Sequence, residues 1–173
     1  MAAELSTTDW AVLAALAEGE AHGFQIAGLF GPQGELGEIW KLQRTQVYRA
    51  LEHLQRQNLI EATRQETGEA GPPRTRYALT STGQQQVMHW LNAPVPQLRY
   101  GRSDLRLKLA FLLRSSQSAT KLLEAQSQVY HHLLNQLEQR TAHDPVEQMS
   151  LLWRLETARA GLRFVQAMLD RRG

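Results

Sequence analysis

The sequence predicts a mainly α-helical protein with a small two-stranded β element in its first half and an antiparallel helical domain at its C-terminal end. Three observations lead there. Apolar residues recur at helical spacing over most of the 173 residues. Between Ile60 and Leu79 the period changes, and Arg74–Leu79 alternates. Beyond Tyr100 only helical spacing returns.

The first helix has a clear start. Ser6 is placed to cap it, Asp9 stands three residues on, and Leu5 can staple to Trp10. Val12, Leu13 and Leu16 continue the period and Gly19 is placed to end it. A short second helix is expected over His22–Phe30, followed by a loop at Gly31-Pro32-Gln33-Gly34-Glu35-Leu36-Gly37. The third helix should run from Arg44 to Gln57. Val47, Ala50, Leu51 and Leu54 share one of its faces, while Thr45, Arg49, Glu52 and Arg56 lie opposite, flanked by Gln46, Tyr48 and His53.

Ile60–Glu66 and Arg74–Leu79 read as two strands joined by the segment Thr67–Pro73. Thr75, Tyr77 and Leu79 alternate with Arg74, Arg76 and Ala78, which makes one face apolar and the other partly basic. Two strands alone are marginal, so they must pack on the helices. A fourth helix starts near Thr80, and Ala93-Pro94-Val95-Pro96 stops it. The expected division is a first domain over 1–93, a linker over 94–100 and a helical domain over 101–173.

Charge and composition narrow the function. Residues 1–40 hold Glu4, Asp9, Glu18, Glu20, Glu35 and Glu38 with no Lys or Arg. Residues 41–76 hold Lys41, Arg44, Arg49, Arg56, Arg64, Arg74 and Arg76 against Glu52, Glu61, Glu66 and Glu69. A polyanion, if met, is met there. The chain has no cysteine, which removes disulfides and thiolate metal sites and fits a reducing cytoplasm. No signal peptide is expected at Met1–Asp9, and the apolar run Ala11–Ala17 is too short for a bilayer. No nucleophile motif, phosphate loop or His-Glu metal motif is present, and His131 and His132 diverge on a helix. Neither an enzyme nor a cofactor is expected.

Helix, helix, glycine-rich loop, helix, strand, wing and strand is the order of a winged helix-turn-helix, whose third helix enters the major groove of double-stranded DNA. Gln43, Arg44, Thr45, Gln46, Tyr48 and Arg49 put base-edge and phosphate partners at the leading end of that helix. Arg74 and Arg76 are the corresponding candidates on the wing strand, although they could equally solubilise an edge strand.

These segments resemble the PadR family of transcriptional regulators. The resemblance rests on His22-Gly23-Phe24-Gln25-Ile26 and on Val47-Tyr48-Arg49-Ala50-Leu51-Glu52-His53-Leu54, ending in Asn58-Leu59-Ile60. It continues through Pro72-Pro73-Arg74, Tyr77-Ala78-Leu79-Thr80 and Gly83, and resumes at Arg102-Ser103-Asp104-Leu105-Arg106-Leu107-Lys108-Leu109. It implies a homodimeric regulator, usually a repressor, that binds a pseudo-palindromic operator and often answers to a small molecule. It also points to Tyr48 as a phosphate or base-edge contact, against the plainer role of an amphipathic residue at the core margin. Gly71 and Thr75 stand where the family commonly has basic residues, and Glu69 opposes phosphate, so fewer wing contacts are expected.

The last helix should run from the cap Asp144 and Pro145 to Asp170. Leu151, Leu155, Ala158, Leu162, Val165 and Leu169 form one narrow stripe, and Met149, Trp153, Ala160, Phe164 and Ala167 form another roughly opposite. A helix apolar on two sides needs two partners, and the first stripe is the expected dimer interface. A small aromatic effector could enter between the domains, where Trp90 and Tyr100 flank the junction. The competing expectation is that Trp10, Trp90 and Trp153 are mostly core. The rival to a DNA reader is a protein-interaction module or adaptor on the same scaffold, consistent with the net acidity of residues 1–99. A DNA reader is held on duplex with steep salt dependence and an adaptor is not.

Overall fold

The computed structural model describes residues 4–66 and 73–171. The expected wing turn, including Gly68, Glu69 and Gly71, lies outside the described residues.

Helix α1 (Thr7–Ala17) opens on a reciprocal cap, with Asp9 N–H donating to Ser6 Oγ and Ser6 N–H donating to Asp9 Oδ2. All six residues from Ala11 to Leu16 are buried, so α1 is the central post of the N-terminal half. The chain leaves it through Gly19 at φ +147°, a conformation that side chains rarely adopt. It enters a two-residue strand, β1 (Ala21–His22), and then α2 (Gly23–Leu29). Helix α3 (Arg44–Arg56) ends in a Schellman turn. Asn58 takes φ 55°, its N–H reaches the Gln55 carbonyl, and the Leu59 N–H reaches that of Leu54.

Strands β2 (Ile60–Glu66) and β3 (Arg74–Leu79) pair antiparallel from Ile60↔Leu79 to Glu66↔Arg74, with a register shift between Ala62 and Arg64. The sheet has three strands in the order β1-β3-β2 rather than the two expected. Two residues are too few to show alternation, so β1 carries no sequence signal; it pairs through Ala21↔Tyr77 and His22↔Arg76. Thr80 caps α4 (Ser81–Asn92).

Residues 94–97 are irregular but not loose. The buried Gln126 side chain accepts from the Val95 N–H at 2.6 Å and donates to the Val95 carbonyl at 3.0 Å. Helical backbone resumes at Leu98, inside the expected linker. It runs as α5 (Leu98–Tyr100), a π-helical turn (Gly101–Leu105) and α6 (Arg106–Arg114). Helices α7 (Thr120–Glu138) and α8 (Pro145–Asp170) follow, the second capped by Asp144 as its sequence predicts.

One continuous core joins the two halves. Leu13 and Leu16 of α1, Leu51 and Leu54 of α3, and Val87 and Leu91 of α4 belong to the same buried cluster as Leu107, Phe111 and Leu122. Phe30 meets Phe111 edge to face at 6.3 Å. Arg114 of α6 pairs with both Glu18 and Glu35, tying the end of α1 and the glycine-rich loop to the helical part.

Helix α8 sets its two stripes in different surroundings. Ala158 and Val165 are fully buried, and Leu151, Leu155, Leu162 and Leu169 are partly buried against the protein's own core. That stripe is therefore occupied within the chain. The opposite side stands open: Val146 is 70%, Met149 62%, Leu152 59% and Trp153 72% exposed. Trp153 is accordingly no core residue, whereas Trp90 is buried and stacks on Trp10 at 5.3 Å.

Candidate nucleic-acid interface

Helix α3 is held from below by its apolar face. Val47, Ala50, Leu51 and Leu54 are buried against α1 and α2, and the Asp9 carboxylate that caps α1 also meets His53 Nδ1 at 3.2 Å. This fixes which side of α3 faces water. Gln43, Arg44, Thr45, Gln46, Tyr48 and Arg49 are all exposed on it, side by side.

The side chains differ in how committed they are. The Gln46 Oε1 accepts from the Gln43 N–H at 2.8 Å, so half of this amide is spent closing the first turn of its own helix. Its NH₂ group is left to donate. The Tyr48 ring lies against α2, where a Cβ on Gly23 would stand 2.8 Å from its Cε1. Only glycine permits that approach, and it leaves Tyr48 43% exposed. The ring thus packs at the core margin while much of the residue stays exposed. Arg44 and Arg49 form no ion pair among the described residues.

The wing strand separates the two basic candidates. Arg74 is exposed, unpaired among the described residues, and sits over the Phe24 ring at 5.0 Å. Arg76 is not available in the same way. Its side chain is 18% exposed, donates to the Glu20 carbonyl at 2.6 Å and pairs with Glu66 at 3.2 Å. It braces β3 to the end of β2 and to the turn before β1. Arg64, the neighbour across the ladder, is paired with Glu66.

Two contributors lie beyond the residues singled out from the sequence. His22 is buried and caps α2 through Nδ1, which accepts from the Gln25 N–H, while Gln25 returns a bond to the His22 N–H. Histidine is an unusual cap, so the usual Ser/Thr/Asp signal did not mark it. Phe24, 46% exposed, lies within 4.9 Å of the Arg44 guanidinium as well as beside Arg74. Tyr77 of β3 is half-buried behind α3; burial, with Tyr48 and Glu52 nearby, pushes its hydroxyl above the usual tyrosine range.

A groove of about 720 Å³ opens at the junction of the two halves. Trp10, His89, Trp90, Tyr100 and Lys108 line it. The Lys108 ammonium lies over the Trp90 ring at 4.9 Å and donates to the Ala93 carbonyl at 2.7 Å. Burial pulls its pKa down to about 8 against a smaller opposing pull from Asp104. Among the described residues no cluster of three or more His, Asp or Glu could hold a metal ion, and no helix is long and apolar enough to cross a membrane.

An exposed, polar third helix beside the β2–β3 ladder is the architecture of a winged helix-turn-helix. Residues 12–89 match the family model of the Transcriptional regulator PadR-like family. That match covers 78 of the 173 residues, the part that holds the winged fold, so the chain is similar to that family over its first half. It is 29% identical over 132 residues to the Negative transcriptional regulator PadR of Bacillus subtilis (strain 168), covering 75% of this chain and 70% of that one. The crystal structure of Bacillus subtilis PadR in complex with operator DNA aligns over 93% of this chain and 97% of that chain. Its TM-score is 0.48 at 24% identity. The same protein in complex with p-coumaric acid aligns over 96% and 98%, with a TM-score of 0.46 at 23% identity.

Proposed function

We propose that the chain is a repressor that binds a pseudo-palindromic operator as a homodimer and is released by a small aromatic effector. The observation that carries the DNA reading is the exposed set Arg44, Thr45, Tyr48 and Arg49 on a helix whose rear face is locked into the core, with Arg74 of the wing beside it. Donors on a rigid element suit base-edge reading, and unpaired guanidiniums suit phosphate. Among the described residues Arg44, Arg49 and Arg74 form no ion pair, which favours a polyanion over a protein partner.

The dimer reading rests on the open side of α8, where Val146, Met149, Leu152, Trp153 and Phe164 form an apolar face. A second copy of the same helix is the partner that buries it symmetrically. The effector reading rests on the junction groove. Its stacked tryptophans offer an apolar slot, and the Lys108 ammonium offers a cation to an acidic aromatic compound. Because α1 and α4 both line that groove, a ligand there acts on the helices that carry α3 and the wing.

The test is footprinting of genomic fragments bound by the purified protein. Two related half-sites about one helical turn apart, or a multiple of it, are expected. Protection of one asymmetric half-site would contradict the dimeric reading, and no protected fragment at low salt would contradict the DNA reading.

A further inference from the structure

Phe24 is an exposed phenylalanine that an ordinary folding account leaves without a purpose. The His22 cap fixes the first turn of α2 and so sets where Phe24 emerges, between the start of α3 and the wing strand. There its ring lies 4.9 Å from the Arg44 guanidinium carbon and 5.0 Å from that of Arg74. Neither arginine forms an ion pair among the described residues.

A carboxylate in that place would also hold both side chains, as Glu66 does for Arg64 and Arg76. It would cancel their charge and consume their donors. An aromatic ring attracts a cation through its quadrupole and leaves the guanidinium N–H groups unspent. Building on the DNA-binding reading above, we propose that Phe24 is a positioning residue: it preorganises Arg44 of the recognition helix and Arg74 of the wing as one phosphate clamp. The two elements then grip the backbone as a unit although no ion pair joins these arginines. Preorganisation lowers the side-chain entropy lost when the phosphates arrive.

The test uses the full chain and a random duplex at fixed low salt, read by fluorescence anisotropy. Phe24→Leu keeps apolar bulk and removes the ring; Phe24→Tyr keeps the ring. Leucine should weaken binding about three- to ten-fold, the scale expected when two exposed cation–ring pairs are removed, and tyrosine should restore it. In a chain already carrying Arg44→Ala and Arg74→Ala, Phe24→Leu should cost nothing further. Equal losses from Phe24→Leu in both backgrounds would overturn the proposal, as would unchanged affinity in Phe24→Leu while Arg74→Ala weakens binding. If the unaltered chain fails to bind duplex at all, the DNA-binding reading falls rather than the role of Phe24. A thermal melt of Phe24→Leu close to that of the unaltered chain shows that the loss is not unfolding.

Discussion

Arg74 and Arg76 stand two residues apart on one strand, but among the described residues only Arg76 forms ion pairs. Arg76→Ala removes bonds to Glu66 and to the Glu20 carbonyl from a largely covered side chain. It should lower stability by about 1 kcal/mol, discounted for the exposure of Glu66, while leaving the salt slope of DNA binding unchanged. Paired melting and salt-titration measurements check both halves of that statement. Lys108 makes a second prediction at this scale. Its pKa in the fold is about 8, below its ordinary value of 10.5, so from pH 8 to about 10 the unfolded chain binds more protons than the fold. Stability therefore gains a rising contribution across that window, and Lys108→Met should flatten it. Above about pH 10 the raised Tyr77 and Tyr130 hydroxyls pull the other way, since the fold then holds protons that the unfolded chain has released. Denaturant melts of both proteins between pH 7 and 10 would show it; identical slopes would sink the assignment.

Helix α8 separates what periodicity can and cannot say. Its two stripes were legible in the sequence because apolar spacing depends only on the helical repeat. Which stripe faced inward was not, because α7 could have packed on either. Leu151, Leu155, Ala158, Leu162, Val165 and Leu169 lie on the inner side, so the proposed dimer is tested on the residues opposite. Met149→Glu with Trp153→Glu should yield a folded monomer by sedimentation, whereas a dimer that persists in this variant would place the interface elsewhere. The helix limits and the strands Ile60–Glu66 and Arg74–Leu79 were equally legible, since caps and alternation are local. The brace at Arg76, the His22 cap and the strand β1 were not. Each depends on a partner remote in sequence or on a residue type with no strong preference for its place, and an arginine on a strand reads the same whether it meets phosphate or Glu20. In the site itself, the exposed face of α3 followed from its period, whereas Phe24 passed as an ordinary apolar residue of α2.

In the molecule as a whole, one core runs through both halves. Cutting after Pro94 would uncover Val87, Trp90 and Leu91, which pack in the same cluster as α6. Point variants on α8 are the sounder way to separate dimerisation from DNA binding. The proposed effector would act through the shared core: the junction groove is lined by α1 and α4, and α1 is the post on which α3 rests. A small aromatic acid added to the purified protein should change tryptophan emission, because Trp10 and Trp90 stack in that groove. It should also weaken operator binding. Emission and binding both indifferent to a panel of such acids would contradict the effector reading.

The central claim is that α3 reads sequence while the wing grips the backbone. A salt titration of the unaltered chain, Arg49→Ala and Arg74→Ala on an operator and on its scrambled duplex tests it most directly. Arg49→Ala should cost about 1–3 kcal/mol on the operator and little on scrambled duplex. Arg74→Ala should weaken both by a similar factor. It should also make the salt slope shallower by about one unit for each phosphate no longer neutralised, twice that in a dimer. Equal loss on both duplexes from Arg49→Ala, or loss confined to the operator from Arg74→Ala, would show that the two elements have the opposite roles.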